Sequence, residues 1–470
     1  MTRPRLIWVL LAVTVAIFGL VAAWSARRWA DTVPWPAAAG REWPGAETLR
    51  AAHAEARRWP VRREAVERLA RLYLANGFNA EAAALLPGIS ARRPDAPEWV
   101  HRQAVLAADG GRLDEAVVLW RGLVDRGVAP APVRVKLADA LVKLNRDAEA
   151  AAEYRAVLRT EPDQPHAWHG LVRLEVRQRR WAEARTLLRE ALPRAPEFYG
   201  LHALAATVAR ETGDSAGAAA ADREVKRLGR FRDIPDPWVE VDPADCFDPY
   251  RLRVDADRLR ADADLRGAFA RIERAIALEP GGALNFQLLA TLHGVAGDEA
   301  AAERAYRRGL ELEPGSATLA LRYANLLERQ GRTAESRVLL ERATEKNPAE
   351  AELFARLATA RERTGEWAQA VDAYRRLQTL RPDRPETALA AARAAFRSGD
   401  EAGARAGLQE NLRRFPDHEE TLGYLVLDAV ARGDATTARD LLARVERVAP
   451  AATATRRLRD AVVARFGPAP

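Results

Sequence analysis

The stretch Ala283–Ser316, ALNFQLLATLHGVAGDEAAAERAYRRGLELEPGS, decides the fold. It reads as two short amphipathic helices, Leu284 to Val295 and Glu299 to Leu312. Gly297 stands between them, where a helix C-terminus favours a residue that takes positive φ without a Cβ penalty. Pro314 stops the second helix, because its ring and missing N–H cannot continue the ladder. Small Ala302 faces the first helix, and Phe286, Leu289, Tyr306 and Leu310 fill in around it.

This unit recurs every 34 residues. Pro280, Pro314, Pro348, Pro382, Pro416 and Pro450 keep that spacing, as do Gly297, Gly331, Gly365, Gly399 and Gly433. Upstream, Pro60, Pro94, Pro162 and Pro196 share one register, with Gly77, Gly111 and Gly213 in the matching turn. The small-residue position gives Ala82, Ala116, Ala150, Ala184 and Ala218, then Ala302, Ser336, Ala370, Ala404 and Ala438.

The pattern resembles the tetratricopeptide repeat family, a 34-residue helix–turn–helix with a small–x3–aromatic signature in its second helix. Ala150/Tyr154, Ala302/Tyr306 and Ala370/Tyr374 match that signature, and Trp168 and Phe286 match its leading aromatic. The resemblance covers residues 63–452 and implies an all-α, α-α superhelical solenoid. Five repeats would occupy 63–232 and six would occupy 249–452, about eleven in two blocks. The units begin at Arg63, Pro97, Ala131, Pro165 and Tyr199, then at Pro249, Ala283, Ala317, Ala351, Pro385 and Glu419. Residues 453–470 add a final helix and tail, with Arg456, Arg457 and Arg459 giving the open end a polar outer surface.

A chain of 470 residues is too long for one globular core, but a solenoid escapes that limit because each repeat buries its face against its neighbours. The charge of +7 and pI near 9.8 invite a nucleic-acid reading. Acidic and basic residues are interspersed throughout, however, with no basic block and no stacking aromatic motif, so nucleic acid is not an expected partner. The one cysteine, Cys246, allows no internal disulfide and no Cys-based zinc site. No P-loop, Gly-x-Ser-x-Gly, HExxH or CxxC is present; neither an enzyme nor a small-molecule substrate is expected.

Leu6 to Ala26 carries no charge. As a helix it would span roughly 31 Å at about 1.5 Å per residue, enough for the hydrocarbon core of a bilayer. Arg3, Arg5, Arg27 and Arg28 flank it, with Trp24 and Trp29 at the interface positions. Residues 1–29 are therefore read as an uncleaved single-pass inner-membrane anchor with the bulk of the chain periplasmic. A cleavable signal or an inward-facing solenoid are the alternatives. Residues 30–62 read as a Pro/Trp linker followed by a capping helix from Ala46 to Trp59.

Between the blocks lies 233–248, DIPDPWVEVDPADCFD, with six acidic residues, three prolines and no basic residue. Regular helix is excluded here. Arg227, Arg230, Arg232, Arg251 and Arg253 flank the insert closely. It reads as a spacer packed on those arginines, an acidic strap folding over the groove, or a hinge.

By resemblance to the family, partners bind the concave groove lined by the first helix of each repeat, at unit positions 2, 5, 9 and 12. Those positions and their neighbours nominate Arg71, His101, His166, His169, Arg173, Arg210, Arg253, Arg260, Asn325 and Arg393 as partner-binding. Glu352, Glu386 and Glu420 make the later repeats acidic, although in a first helical turn a carboxylate also opposes the macrodipole. His166 and His169 share a helix face close to His101 but lack the third or fourth ligand a metal needs, so no metal and no cofactor is assigned. The expectation is a scaffold or assembly factor that docks protein or peptide partners within the cell envelope. The alternatives are an accessory subunit of c-type cytochrome maturation or a redox complex, and a cytoplasm-facing regulator.

Overall fold

The computed structural model describes residues 3–40 and 43–468, except for the side chains of residues 3–13, 15, 16, 18 and 26. Every regular element among them is helical. After α1 (Arg3–Thr32) and α2 (Ala46–Ala56), five hairpins follow. They are α3 (Arg63–Ala75) with α4 (Asn79–Arg92), α5 (Pro97–Asp109) with α6 (Leu113–Asp125), and α7 (Ala131–Lys143) with α8 (Asp147–Thr160). Then come α9 (Pro165–Arg177) with α10 (Trp181–Arg194), and α11 (Tyr199–Glu211) with α12 (Ser215–Leu228). A single 3-10 turn at Pro243–Asp245 is the only regular structure in the insert, which otherwise runs without helix.

Six hairpins complete the repeats: α13 (Pro249–Ala261) with α14 (Leu265–Leu278), α15 (Ala283–Val295) with α16 (Glu299–Leu312), and α17 (Ala317–Arg329) with α18 (Thr333–Lys346). Next are α19 (Ala351–Arg363) with α20 (Trp367–Leu380), α21 (Pro385–Ser398) with α22 (Glu401–Arg414), and α23 (Glu419–Arg432) with α24 (Ala435–Val448). The closing helix is α25 (Thr453–Phe466).

The hairpin turn follows from two adjacent residues. Gly213, Gly297, Gly399 and Gly433 take φ between 75° and 87°. The next residue, Asp214, Asp298, Asp400 or Asp434, accepts a hydrogen bond from the backbone N–H three residues on and caps the second helix. One hairpin therefore ends and restarts within two residues. Where glycine is missing from this register, Asn145, Arg179 and Ala263 hold the same left-handed turn, at φ 59°, 56° and 65°.

Two compact units result, Met1–Glu279 and Pro280–Pro470. In the first, Leu49, Leu69, Tyr73 and Leu86 form one core, Trp120, Leu137 and Tyr154 the next, and Trp168, Leu188 and Leu201 a third. In the second, Tyr306 and Leu319, then Leu340 and Leu357, then Val426 and Val445 anchor successive cores. The small positions are sealed: Ala82, Ala116, Ala150, Ala184, Ala370, Ala404 and Ala438 are all fully buried. The fold is thus all-α, with hairpins stacked in the α-α superhelical manner in each unit.

Trp29, Val33 and Trp43 pack down on α2 and the first hairpin. The Trp29 indole N–H donates to Ala56 O at 2.8 Å, and His53 contacts Val33 O at 3.2 Å. Val33 and Trp43 join the core with Leu49 and Tyr73.

The single-pass inner-membrane, periplasmic placement does not hold. No helix of the described residues is long and apolar enough to cross a membrane. Spanning requires about 20 consecutive apolar residues. Within Leu6–Ala26 the described side chains of α1 are only Thr14, Ile17 and Gly19 to Ser25; the others lie outside the described residues. Exposed Arg27, Arg28 and Asp31 follow, and the Arg28 guanidinium sits 5.1 Å from the Trp24 ring.

Candidate functional site

The first helices of the first unit already hold a piece of the chain without α-helix, which turns at 237–239. From Phe231 to Phe247 the segment crosses α9, α7, α5 and α3, in reverse order of the repeats that precede it. Arg227 and Arg230, ahead of the insert, are not paired with its acidic side chains. Arg227 pairs instead with Glu197 and Glu224, and Arg230 with Asp262.

At the α3 end, Asn76 acts as a clamp. Its Nδ2 donates to Leu72 O and Asp245 O, both at 2.8 Å, and its Oδ1 accepts from the Phe247 N–H at 2.7 Å. One amide side chain thus pairs with two backbone groups as a neighbouring strand would. The Phe247 ring lies 5.8 Å from Trp43, and the Arg274 guanidinium lies 5.0 Å from it. Arg274 also donates to Cys246 O and Ala244 O. Cys246 is buried, and burial pushes its thiol up from the usual range. The insert therefore does not present that sulfur as a ligand.

Midway, Asp236 is 7% exposed and His101 is fully buried. Trp120 Nε1–H donates to His101 Nδ1 at 2.9 Å. Indole nitrogen is a donor only, so His101 Nδ1 must carry a lone pair and the proton sits on Nε2. Nε2–H then donates to Asp236 Oδ2 at 2.8 Å. Burial opposes ionisation of Asp236, but this hydrogen bond and the Lys136 ammonium, 3.7 Å away, outweigh it and hold the carboxyl below its ordinary value. Two residues on, the Trp238 ring meets the His101 edge at 5.8 Å, and with Ile234 it packs on the core that contains Trp120. Arg102 donates to Glu240 O at 2.9 Å.

At the α9 end, His166 Nε2 donates to Arg232 O at 2.8 Å, and Phe231 lies 5.1 Å from the His169 ring and 5.3 Å from Phe198. Burial lowers the pKa of both histidines, that of His169 to about 4 with Arg173 adding to the effect. Arg173 donates to Asp139 at 2.5 Å and to Tyr154 OH at 3.2 Å. A cavity of about 250 Å³ remains here, between Val135, Lys143, His166, Arg173, Phe231 and Asp233.

The ten residues nominated from sequence thus have different fates. His101 is a buried anchor for the insert, two first helices away from His166 and His169. His166, His169 and Arg173 gather at one end of the occupied groove. Arg71 is exposed on α3, and its charge opposes the upward shift that burial gives the Asp245 carboxyl. Arg210 pairs with Asp222, Arg260 with Asp257, and Arg253 lies over the Tyr250 ring. In the second unit, Asn325 accepts from Arg356 at 2.7 Å and Arg393 is exposed on α21. Among the described residues no group of three or more His, Cys, Asp or Glu is arranged to hold a metal.

Sequence reading missed Asn76, Arg102, Trp120, Lys136 and Arg274. One signal was available for their counterparts. Asp236 followed by Pro237 is a turn signal, and the backbone turns there, the Val239 N–H donating to Asp236 O at 3.1 Å, which brings Asp236 and Trp238 to the same part of the wall.

Models of the tetratricopeptide repeat match residues 254–406, and also 67–121, 135–197 and 169–232. Among solved structures the chain is similar to PilW, described as a widely conserved type IV pilus biogenesis factor. The identity is 20% over 45% of this chain and 97% of that one, with a TM-score of 0.32. It is similar to YrrB, described as a TPR protein with an unusual peptide-binding site, at 17% identity over 37% and 90% of the two chains and a TM-score of 0.31. It is also similar to the C-terminal part of a TPR repeat-containing protein from Cytophaga hutchinsonii, at 13% identity over 54% and 97%, with a TM-score of 0.40. No curated protein matches this chain.

Proposed function

The chain belongs to the tetratricopeptide repeat family, and from that premise we propose that it is an interaction scaffold that grips partners along the first helices of its repeats, most openly in the second unit. One observation carries this reading: in the first unit the same row of helices holds an irregular segment, clamped by Asn76, His101 and Arg102. That contact supports reading the repeat surface of this chain as one that takes irregular polypeptide. The second unit has only short turns between its helices, with no insert of this kind. Its corresponding row leaves Leu284 and Leu427 about half exposed, together with Asn325, Glu352, Glu386, Arg393 and Glu420.

Apolar side chains at both ends with carboxylates between them favour an extended partner segment that is basic in its middle. Electrostatics here supplies selectivity and encounter rate more than affinity. No catalytic role is assigned to any residue.

The test is positional. A photo-crosslinking residue at Asn325, Arg393 or Leu427 is expected to capture the same protein partner, while one at Arg413 on the opposite helix α22 captures none. Equal capture from α22 would overturn the assignment of the surface. Arg393→Glu and Glu386→Arg are expected to change the partner's association rate in opposite directions, measured at low and high salt.

A further inference from the structure

We infer that the first unit's groove is built for a protein partner whose segment carries an aspartate two residues ahead of a tryptophan, with a turn between them, and that residues 231–241 occupy this groove in its place. The inference rests on the scaffold reading above and names the partner chemistry of one of its two faces.

Three observations carry it. The first is complementarity: residues 231–241 carry Asp233, Asp236 and Glu240 against one basic residue, Arg232, while His101, Arg102, Lys136 and Arg173 face them from the wall. Asp236 goes to His101 and Lys136, and Trp238 packs beside them, so the wall reads two side chains at a spacing of two. The remaining wall contacts here, Arg102 to Glu240 O and His166 to Arg232 O, are to backbone and read no side chain.

The second is incomplete filling. Asp236 is buried, but Phe231 is 39% exposed, Arg232 and Asp233 are exposed, and the 250 Å³ cavity lies open beside them. The groove is wider than the segment in it.

The third is the division of the insert into two parts. Residues 243–248 are held by Asn76, Arg274 and the Trp43 pocket, and they anchor the start of α13. Residues 231–241 are held by a different set of wall residues, Asp236 on His101 and Lys136 and two carbonyls on Arg102 and His166, and Pro235 and Pro237 remove the N–H groups on either side of Asp236. The two parts share no wall residue, so the first can leave without breaking the contacts of the second.

A segment held in cis competes at high effective concentration and lowers the apparent affinity for a trans ligand by the fraction of time the groove is open. A fluorescent synthetic peptide copying residues 231–241 provides the probe, titrated by anisotropy into the full chain. The wild-type protein is expected to bind it weakly, and an Asp236→Asn/Trp238→Ala variant about tenfold or more tightly, since its own segment no longer competes. The same peptide with Asp and Trp replaced is expected not to bind, and adding His101→Gln to the opened variant should abolish binding.

Equal binding by wild type and opened variant, or equal binding of the substituted peptide, would overturn the proposal. Hydrogen exchange on the wild-type protein keeps the test decisive if the double variant fails to fold. Saturating peptide should raise exchange at Val239 to Val241 and leave Phe247 protected; no change there would also overturn it. Crosslinks from Asn325 and Arg393 in the second unit are independent of both results. Loss of those crosslinks with peptide binding intact would remove the second-unit reading alone.

Discussion

The groove of the first unit depends on a few side chains whose proton positions follow from their neighbours. Trp120 sets the tautomer of His101, and His101 in turn holds Asp236 ionised in a buried place. Folding keeps the Asp236 carboxyl below its free value of 3.8. Its contribution is therefore complete above that value and lost only as pH falls through the depressed one. His169 behaves differently. Its folded pKa of about 4 lies below the free value of 6.5, so between these values the unfolded chain binds a proton that the folded chain does not. Stability should be unaffected above pH 6.5, fall from there towards pH 4, and level off below. Between pH 6.5 and 5 the loss is roughly 2 kcal/mol. Denaturant unfolding at pH 7 and pH 5 should show this slope in the wild type and a shallower one in His169→Gln. An equal slope in both would mean that His169 does not stay neutral in the fold.

At the scale of the element, the repeat is decided at its turn. Eight glycines occupy the turn register from Gly77 to Gly433, while Asn145, Arg179 and Ala263 take it at positive φ without being glycine. A non-glycine residue in this region costs about 1–2 kcal/mol, and glycine returns only part of that through the entropy of the unfolded chain. Ala263 is exposed, so replacing it loses no packing. Ala263→Gly is expected to stabilise the first unit by roughly 0.5–1 kcal/mol, read from its denaturation midpoint; a lower midpoint would contradict this account of the turn. The α13–α14 hairpin that Ala263 joins is also where the first unit closes. Arg251 near its start reaches the α3–α4 turn, where a Cβ on Gly77 would meet its guanidinium at 2.5 Å. Asp262, in the turn between α13 and α14, pairs with Arg230, just after α12.

For the molecule as a whole, the division at Glu279 and Pro280 sets what can fold alone. Each repeat buries its apolar face against its neighbours, so stability is nearly a sum over adjacent pairs. The second unit carries three cores of its own and the capping helix α25, whose Leu458 and Val462 turn inward while Arg456, Arg457 and Arg459 face out. A fragment Pro280–Pro470 is expected to be helical and to unfold cooperatively by circular dichroism. Removing α25 from it should lower its midpoint by exposing the α23–α24 core. A fragment that is unfolded on its own would show that the unit is not autonomous.

The helical repeat was legible in the sequence because its information is local. A proline, a glycine and a small residue recur at 34-residue spacing, and each acts on the few residues beside it. The insert's lack of regular helix was legible for the same reason, since three prolines within 16 residues forbid it. What fills the groove was not legible. His101 and Asp236 are 135 residues apart, Asn76 and Phe247 are 171 apart, and no periodicity links either pair. His101 was nominated as a free groove residue and proved to be buried under the strap, because position in a repeat says which way a side chain points and not what covers it. The sequence by itself determined the hairpins and the order in which they stack. Only the tertiary structure decided which of their faces the chain keeps for itself, because that choice is made by contacts between residues far apart in the chain.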